Sequence, residues 1–202
     1  MKKLGDVLIG MAGLLLAGLV AVSVVIALIG GRTRPPQESA TATPPLAAPT
    51  ATKLPGEVDL PFQTIERADT PGTGQNYEGE EPKLIITAEI EEINKIENTV
   101  SLDAQKQLHN TDFSEYFPVA VFQGVKPTNM YGAEIRRVSR RGDTVVIYAH
   151  FTQRDPEREA ADMLTSPYHL VKIRKEGGLQ GKIEFILDVD GTVLTQQTHL
   201  VP

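Results

Sequence analysis

The sequence predicts an N-terminal single transmembrane helix, a disordered Pro-rich linker, and then a mainly β or α+β antiparallel domain with two or three short helices. Three observations lead there. Residues Val7 to Gly30 are 24 consecutive uncharged positions. Thr33 to Gly56 hold six of the chain's 14 prolines. From Glu57 onward, apolar and polar residues alternate at the period of a strand. The expected divisions are a short basic N-terminus at 1–6, the helix at 7–30, the linker at 31–56 and a globular β-rich domain at 57–202.

In the uncharged stretch 19 of 24 residues are hydrophobic, with four Gly and Ser23. At about 1.5 Å per residue such a helix spans roughly 36 Å, enough to cross about 30 Å of hydrocarbon with some tilt. The run is longer than the apolar core of a signal peptide, and no small-x-small cleavage site closes it at Ala27-Leu28-Ile29. An uncleaved signal-anchor is therefore expected. Lys2 and Lys3 face Arg32 and Arg34 across it, and with the free amino terminus the count leans to a cytoplasmic N-terminus.

The linker shows neither helical nor strand period. Its Pro, Thr and Ala content is too poor in apolar groups to offset the entropy of ordering, so a semi-extended spacer is expected. Stalks of this composition suit a body held outside the cytoplasm.

In the body, Asp143 to Phe151 places Val145, Ile147, Ala149 and Phe151 on one face and Val146, Tyr148 and His150 on the other. Asn129 to Ser139 precedes it, with Arg140-Arg141-Gly142 as the hairpin loop. Further strands read at Phe117–Gln123, Tyr168–Arg174, Lys182–Asp188 and Thr192–His199, and weaker ones at Leu60–Arg67 and Lys83–Thr87. Helices are expected at Ala88–Ile96, at Ser101–Leu108 with Ser101 as cap, and at Pro156–Met163.

Composition excludes several kinds of chemistry. The chain has no cysteine, so it has no disulfide, thiolate nucleophile or acylated lipobox. From Glu57 onward 15 basic and 24 acidic side chains leave a formal charge of −9, which repels nucleic-acid backbones. Asp188-Val189-Asp190-Gly191-Thr192 spells a phosphatase-like DxDGT. Only ten residues follow Thr192, and they supply neither the lysine nor the carboxylates such an enzyme needs, so the motif reads as a hairpin turn. Arg141-Gly142-Asp143 also reads as a turn, because it sits where a hairpin needs Gly between polar residues. Strand alternation sends Arg136 and Arg137 to opposite faces. His109, His150, His169 and His199 have no ligand spacing between them. No catalytic, metal or cofactor-binding residue is expected.

Phe117-Pro118-Val119-Ala120-Val121-Phe122-Gln123-Gly124-Val125-Lys126-Pro127-Thr128, followed by Tyr131-Gly132-Ala133-Glu134-Ile135, the Asp143–Thr152 strand and Leu164-Thr165-Ser166-Pro167-Tyr168-His169-Leu170-Val171-Lys172-Ile173, resembles the PrcB-type C-terminal domain. That family is named for an accessory subunit of a bacterial surface protease complex. The resemblance runs over about 60–175 and leaves a C-terminal hairpin, 182–199, beyond it. Met130 stands where the family has glycine before the tyrosine, and Gly132 follows instead.

The resemblance implies a non-catalytic, extracytoplasmic domain that assembles or stabilises a partner such as a secreted protease. A single-pass membrane protein with a cytoplasmic N-terminus and a protein partner is the expectation. An extracytoplasmic small-molecule or glycan sensor is the alternative. Tyr131, Gly132 and Tyr168 are the candidate partner contacts, as the rim of a peptide-binding edge. Core packing is the competing role for Tyr131, Tyr148 and Tyr168.

Overall fold

The computed structural model describes residues 55–68 and 76–202. The expected N-terminal segment, membrane helix and nearly all of the linker lie outside the described residues. Among the described residues no helix is long and apolar enough to cross a membrane.

Eleven strands follow in the described residues: β1 (Val58–Asp59), β2 (Phe62–Ala68), β3 (Lys83–Ile86), β4 (Tyr116–Phe122), β5 (Lys126–Thr128), β6 (Gly132–Arg141), β7 (Thr144–Thr152), β8 (Asp162–Thr165), β9 (Tyr168–Arg174), β10 (Gly181–Val189) and β11 (Thr192–Val201). Between β3 and β4 come a 3-10 turn at Ile90–Glu92 and two helices, α1 (Asn94–Glu97) and α2 (Leu102–His109). One sheet has the order β1-β6-β7-β10-β11, a second β2-β9-β4-β3, and β5 and β8 form a small ribbon.

The second sheet is the middle layer. Its strand β4 reads as an unbroken apolar run, and β9 is buried from Tyr168 to Val171, because both of their faces are covered. Leu84, Ile86, Phe117, Val119, Val121, Val171 and Ile173 point to a core shared with the first sheet. The intervening Ile85, Ala120, Phe122 and Leu170 point to a second core under Ile93, Ile96, Val100, Ala104 and Leu108 of the helical segment. The period of two thus sorts each strand between two cores. Phe117 and Phe185 meet edge to face across the sheets at 5.8 Å.

Pro118 sits in the central strand β4, where a missing N–H donor ordinarily breaks a ladder. Its carbonyl accepts from Thr87 N at 3.0 Å, just past the end of β3. The absent donor faces that same margin, so the one bond lost is the reciprocal bond to Thr87 at the end of the β3 ladder.

Several expectations hold closely. β9 has the expected bounds, and Ser101 caps α2, its Oγ accepting from Ala104 N at 3.1 Å. Asp190-Gly191 forms a two-residue hairpin with φ of 52° and 87°, and Gly142 turns the β6–β7 hairpin at φ 61°.

Four readings are corrected. The sheet is mixed, because β7 and β10 pair in parallel. The chain between them passes through β9 in the other sheet, and that long crossover leaves no local pattern. Residues 156–163 form no helix. Asp155 closes a single turn, its carboxylate accepting from Glu157 N at 3.0 Å, and the segment has no buried face to extend it. β8 begins within it instead, paired to Lys126–Thr128, where Gly124 to Thr128 read in the sequence as a turn between two strands. Finally, a bulge leaves Arg136 unpaired between Ile135 and Arg137. Ile135 and Val138 consequently both enter the core, and strict alternation of the arginines fails.

Candidate functional site

The most concentrated polar chemistry among the described residues lies on the outer face of the five-stranded sheet. Glu57 and Asp59, two apart, share one face of the first strand and its approach. Arg137 stands opposite Tyr148 in the β6–β7 register, and β6 lies beside β1. The Arg137 Nε–Asp59 distance is 2.7 Å, and Arg137 Nη2 lies 2.7 Å from the Glu57 carboxylate. Ser139 Oγ and Tyr148 OH both donate to the same Glu57 oxygen, the latter at 3.1 Å. The guanidinium carbon sits 4.9 Å from the Tyr148 ring centre.

Glu57 is 6 % exposed, so this carboxylate is a buried charge compensated by one cation and two hydroxyls. Burial, reinforced by Glu57, pushes the Tyr148 phenol up, which keeps it a donor across the physiological range. Beside the cluster runs a cleft of about 240 Å³ whose walls include Thr144, Ile186, Asp188 and Val193. That is smaller than the roughly 300–1,000 Å³ of ordinary small-molecule pockets. No imidazole stands by the Ser139 hydroxyl, whose proton goes to Glu57; the arrangement locks three strands and presents no activated nucleophile.

The expected contact residues are dispersed. Tyr131 is half-buried ahead of β6, with Lys126 Nζ 6.0 Å from its ring centre. Gly132 is buried at the start of β6, opposite Thr152. Tyr168 is fully buried in the helix–sheet core, 5.3 Å from Phe122. Its hydroxyl donates to Glu66 and accepts from Ser101 N at 3.2 Å, and burial with the Glu66 contact pushes its pKa far up. Tyr168 therefore ties β9 to β2 and to the cap of α2.

Each histidine has its own structural partner. Ile135 N donates to His169 Nδ1 at 2.8 Å, so Nε2 carries the proton and donates to Thr64 Oγ1 at 2.9 Å. His150 pairs with Asp190 at 2.7 Å, and His199 with Glu92 at 2.8 Å. His109 lies 3.9 Å from Glu97. Among the described residues no group of three potential metal ligands occurs. The DxDGT carboxylates are absorbed as well. Asp188 accepts from Gly191 N at 2.8 Å across the turn, and Asp190 takes the positive φ and holds His150.

The Glu57 cluster escaped sequence reasoning because its members come from positions 57, 137, 139 and 148. The one local trace was the spacing of Glu57 and Asp59.

Residues 118–174 match the PrcB C-terminal family. The match runs from Pro118 in β4 to Arg174 at the end of β9, so it takes in the centre of the middle sheet, the β5–β8 ribbon and the β6–β7 hairpin. This part of the chain is a PrcB-type C-terminal domain. The matched stretch is narrower than the resemblance at 60–175; β1 to β3, the helices and the β10–β11 hairpin lie outside it. No curated protein and no solved structure matches the chain.

Proposed function

We propose that this chain is a membrane-anchored, extracytoplasmic protein-interaction module that assembles or stabilises a secreted or surface protease complex, without catalysis of its own. The observation that carries the reading is the PrcB-type domain at 118–174. The uncharged Val7–Gly30 stretch and the proline-rich segment after it support a single-pass tether with the N-terminus in the cytoplasm. We place the partner contact at the end of the domain where Tyr131 and Gly132 lead into β6, with Tyr168 as the packed residue that fixes β9 beneath it. The cleft beside Glu57 favours the alternative, a small-molecule or glycan sensor, but its volume is short of a typical ligand site.

Deleting the chain tests the function. The abundance of one extracytoplasmic protease should fall several-fold while its transcript is unchanged. An unaltered set of surface proteases would count against the reading. Protease added to intact spheroplasts should remove the body; full protection would reverse the orientation.

A further inference from the structure

Sheet edges invite pairing with other chains, and proteins blunt them with charge, proline, bulges or shortness. Three of the four edges of the two main sheets are blunted here. β1 has two residues and is pinned by Asp59 to Arg137. β2 carries Glu66 and Arg67 and a bulge between Thr64 and Glu66. β3 begins at Lys83, and Gln197 Nε2 donates to its Leu84 carbonyl at 3.1 Å.

β11 is the exception. It is ten residues long, and Thr192 to Val201 contains no Lys, Arg, Asp, Glu or Pro. Its backbone bonds to β10 on one side, and among the described residues nothing pairs with the other. It also exposes Val193, Leu194 and Leu200.

The strand is self-complementary when read antiparallel. With a two-fold axis at Gln197, Gln196 lies opposite Thr198 of the second copy, and exposed Leu194 opposite exposed Leu200 of the second copy, each pair occurring twice. An isologous contact of this type closes on itself. We propose that β11 pairs with β11 of a second copy of this chain, joining two five-stranded sheets into one continuous sheet.

The choice of a second copy over a foreign peptide follows from that register. Each body carries −9, so long-range repulsion opposes the encounter and the uncharged edge must sustain the contact against it. Dimerisation should accordingly strengthen as salt is added. A contact built on ion pairs would weaken.

The absence of native cysteine makes the test direct. In the full chain reconstituted in proteoliposomes, Gln197→Cys should form a disulfide-linked dimer under mild oxidation, because directly opposed Cβ atoms lie about 5 Å apart. Leu200→Cys should stay monomeric, its counterpart being offset by six residues, roughly 20 Å along the strand. Leu194→Lys added to Gln197→Cys should slow the crosslink at least tenfold.

Because Gln197→Cys removes the bond to Leu84, a mixture of Gln196→Cys and Thr198→Cys chains supplies a second readout, with unlike chains crosslinking at the axis. Equal crosslinking at positions 197 and 200, or none in either the Gln197→Cys chain or the mixture, would overturn the proposal. Neither result bears on whether a protease partner exists.

Discussion

His169 holds three strands with one ring. It sits in β9, takes the Ile135 N–H that the β6 bulge releases, and gives its own proton to Thr64 of β2. Removing it in His169→Ala leaves a buried backbone donor without an acceptor, at a cost of about 1–3 kcal/mol, and opens a cavity besides. Chemical denaturation should show a lower midpoint with an unchanged slope.

Glu92 makes a pH-dependent contribution. Burial opposes its ionisation, but hydrogen bonds from Lys95, Ala88 N and His199 outweigh burial and hold its carboxyl below the ordinary 4.5. A carboxyl depressed by folding contributes stability that is complete above the unfolded-chain value and is lost as pH falls through the folded one. Glu92→Gln should therefore melt below the wild type at pH 7, and the gap should shrink steadily below about pH 4.5. A gap independent of pH would contradict the assignment.

At the scale of elements, Gly124 after β4 decides how the chain leaves the middle sheet. Its φ is +87°, and an added Cβ would fall 2.1 Å from the Glu80 carbonyl oxygen. Gly142 in the β6–β7 turn also has positive φ, +61°, but meets nothing within 4 Å. Gly124→Ala should cost well over the roughly 1 kcal/mol expected of Gly142→Ala, as thermal melts of the two variants will show.

The same contrast explains what was legible in the sequence. Tyr168–Arg174, the Asp190-Gly191 turn and the Ser101 cap depend on a few adjacent residues, and all three stand where the sequence put them. The parallel pairing of β7 with β10 depends on 28 intervening residues that travel through another sheet, and the Arg136 bulge on a histidine 33 positions away. Residues 156–163 had a helix-start signal in Pro156 without an apolar stripe to follow it. Of the candidate contacts, Tyr168 has a tyrosine's usual two roles, and its burial assigns the packing one.

At the scale of the whole molecule, the middle sheet is covered on both faces, by the first sheet and by the helical segment. The match to the PrcB C-terminal family includes the centre of that middle sheet, and the parts added around it are the helices, β1 to β3 and the β10–β11 hairpin. The polar groups with the most developed contacts, at Glu57, His169 and Tyr168, hold strands to one another. On the proposed reading, a domain organised this way offers its surface and edges to partners. Crosslinking in native membranes, followed by mass spectrometry, tests that claim most directly. It should recover a reproducible extracytoplasmic protein, a protease or protease subunit, attached near the Tyr131 end of the domain. Recovery of no protein partner under several crosslinking chemistries would contradict it.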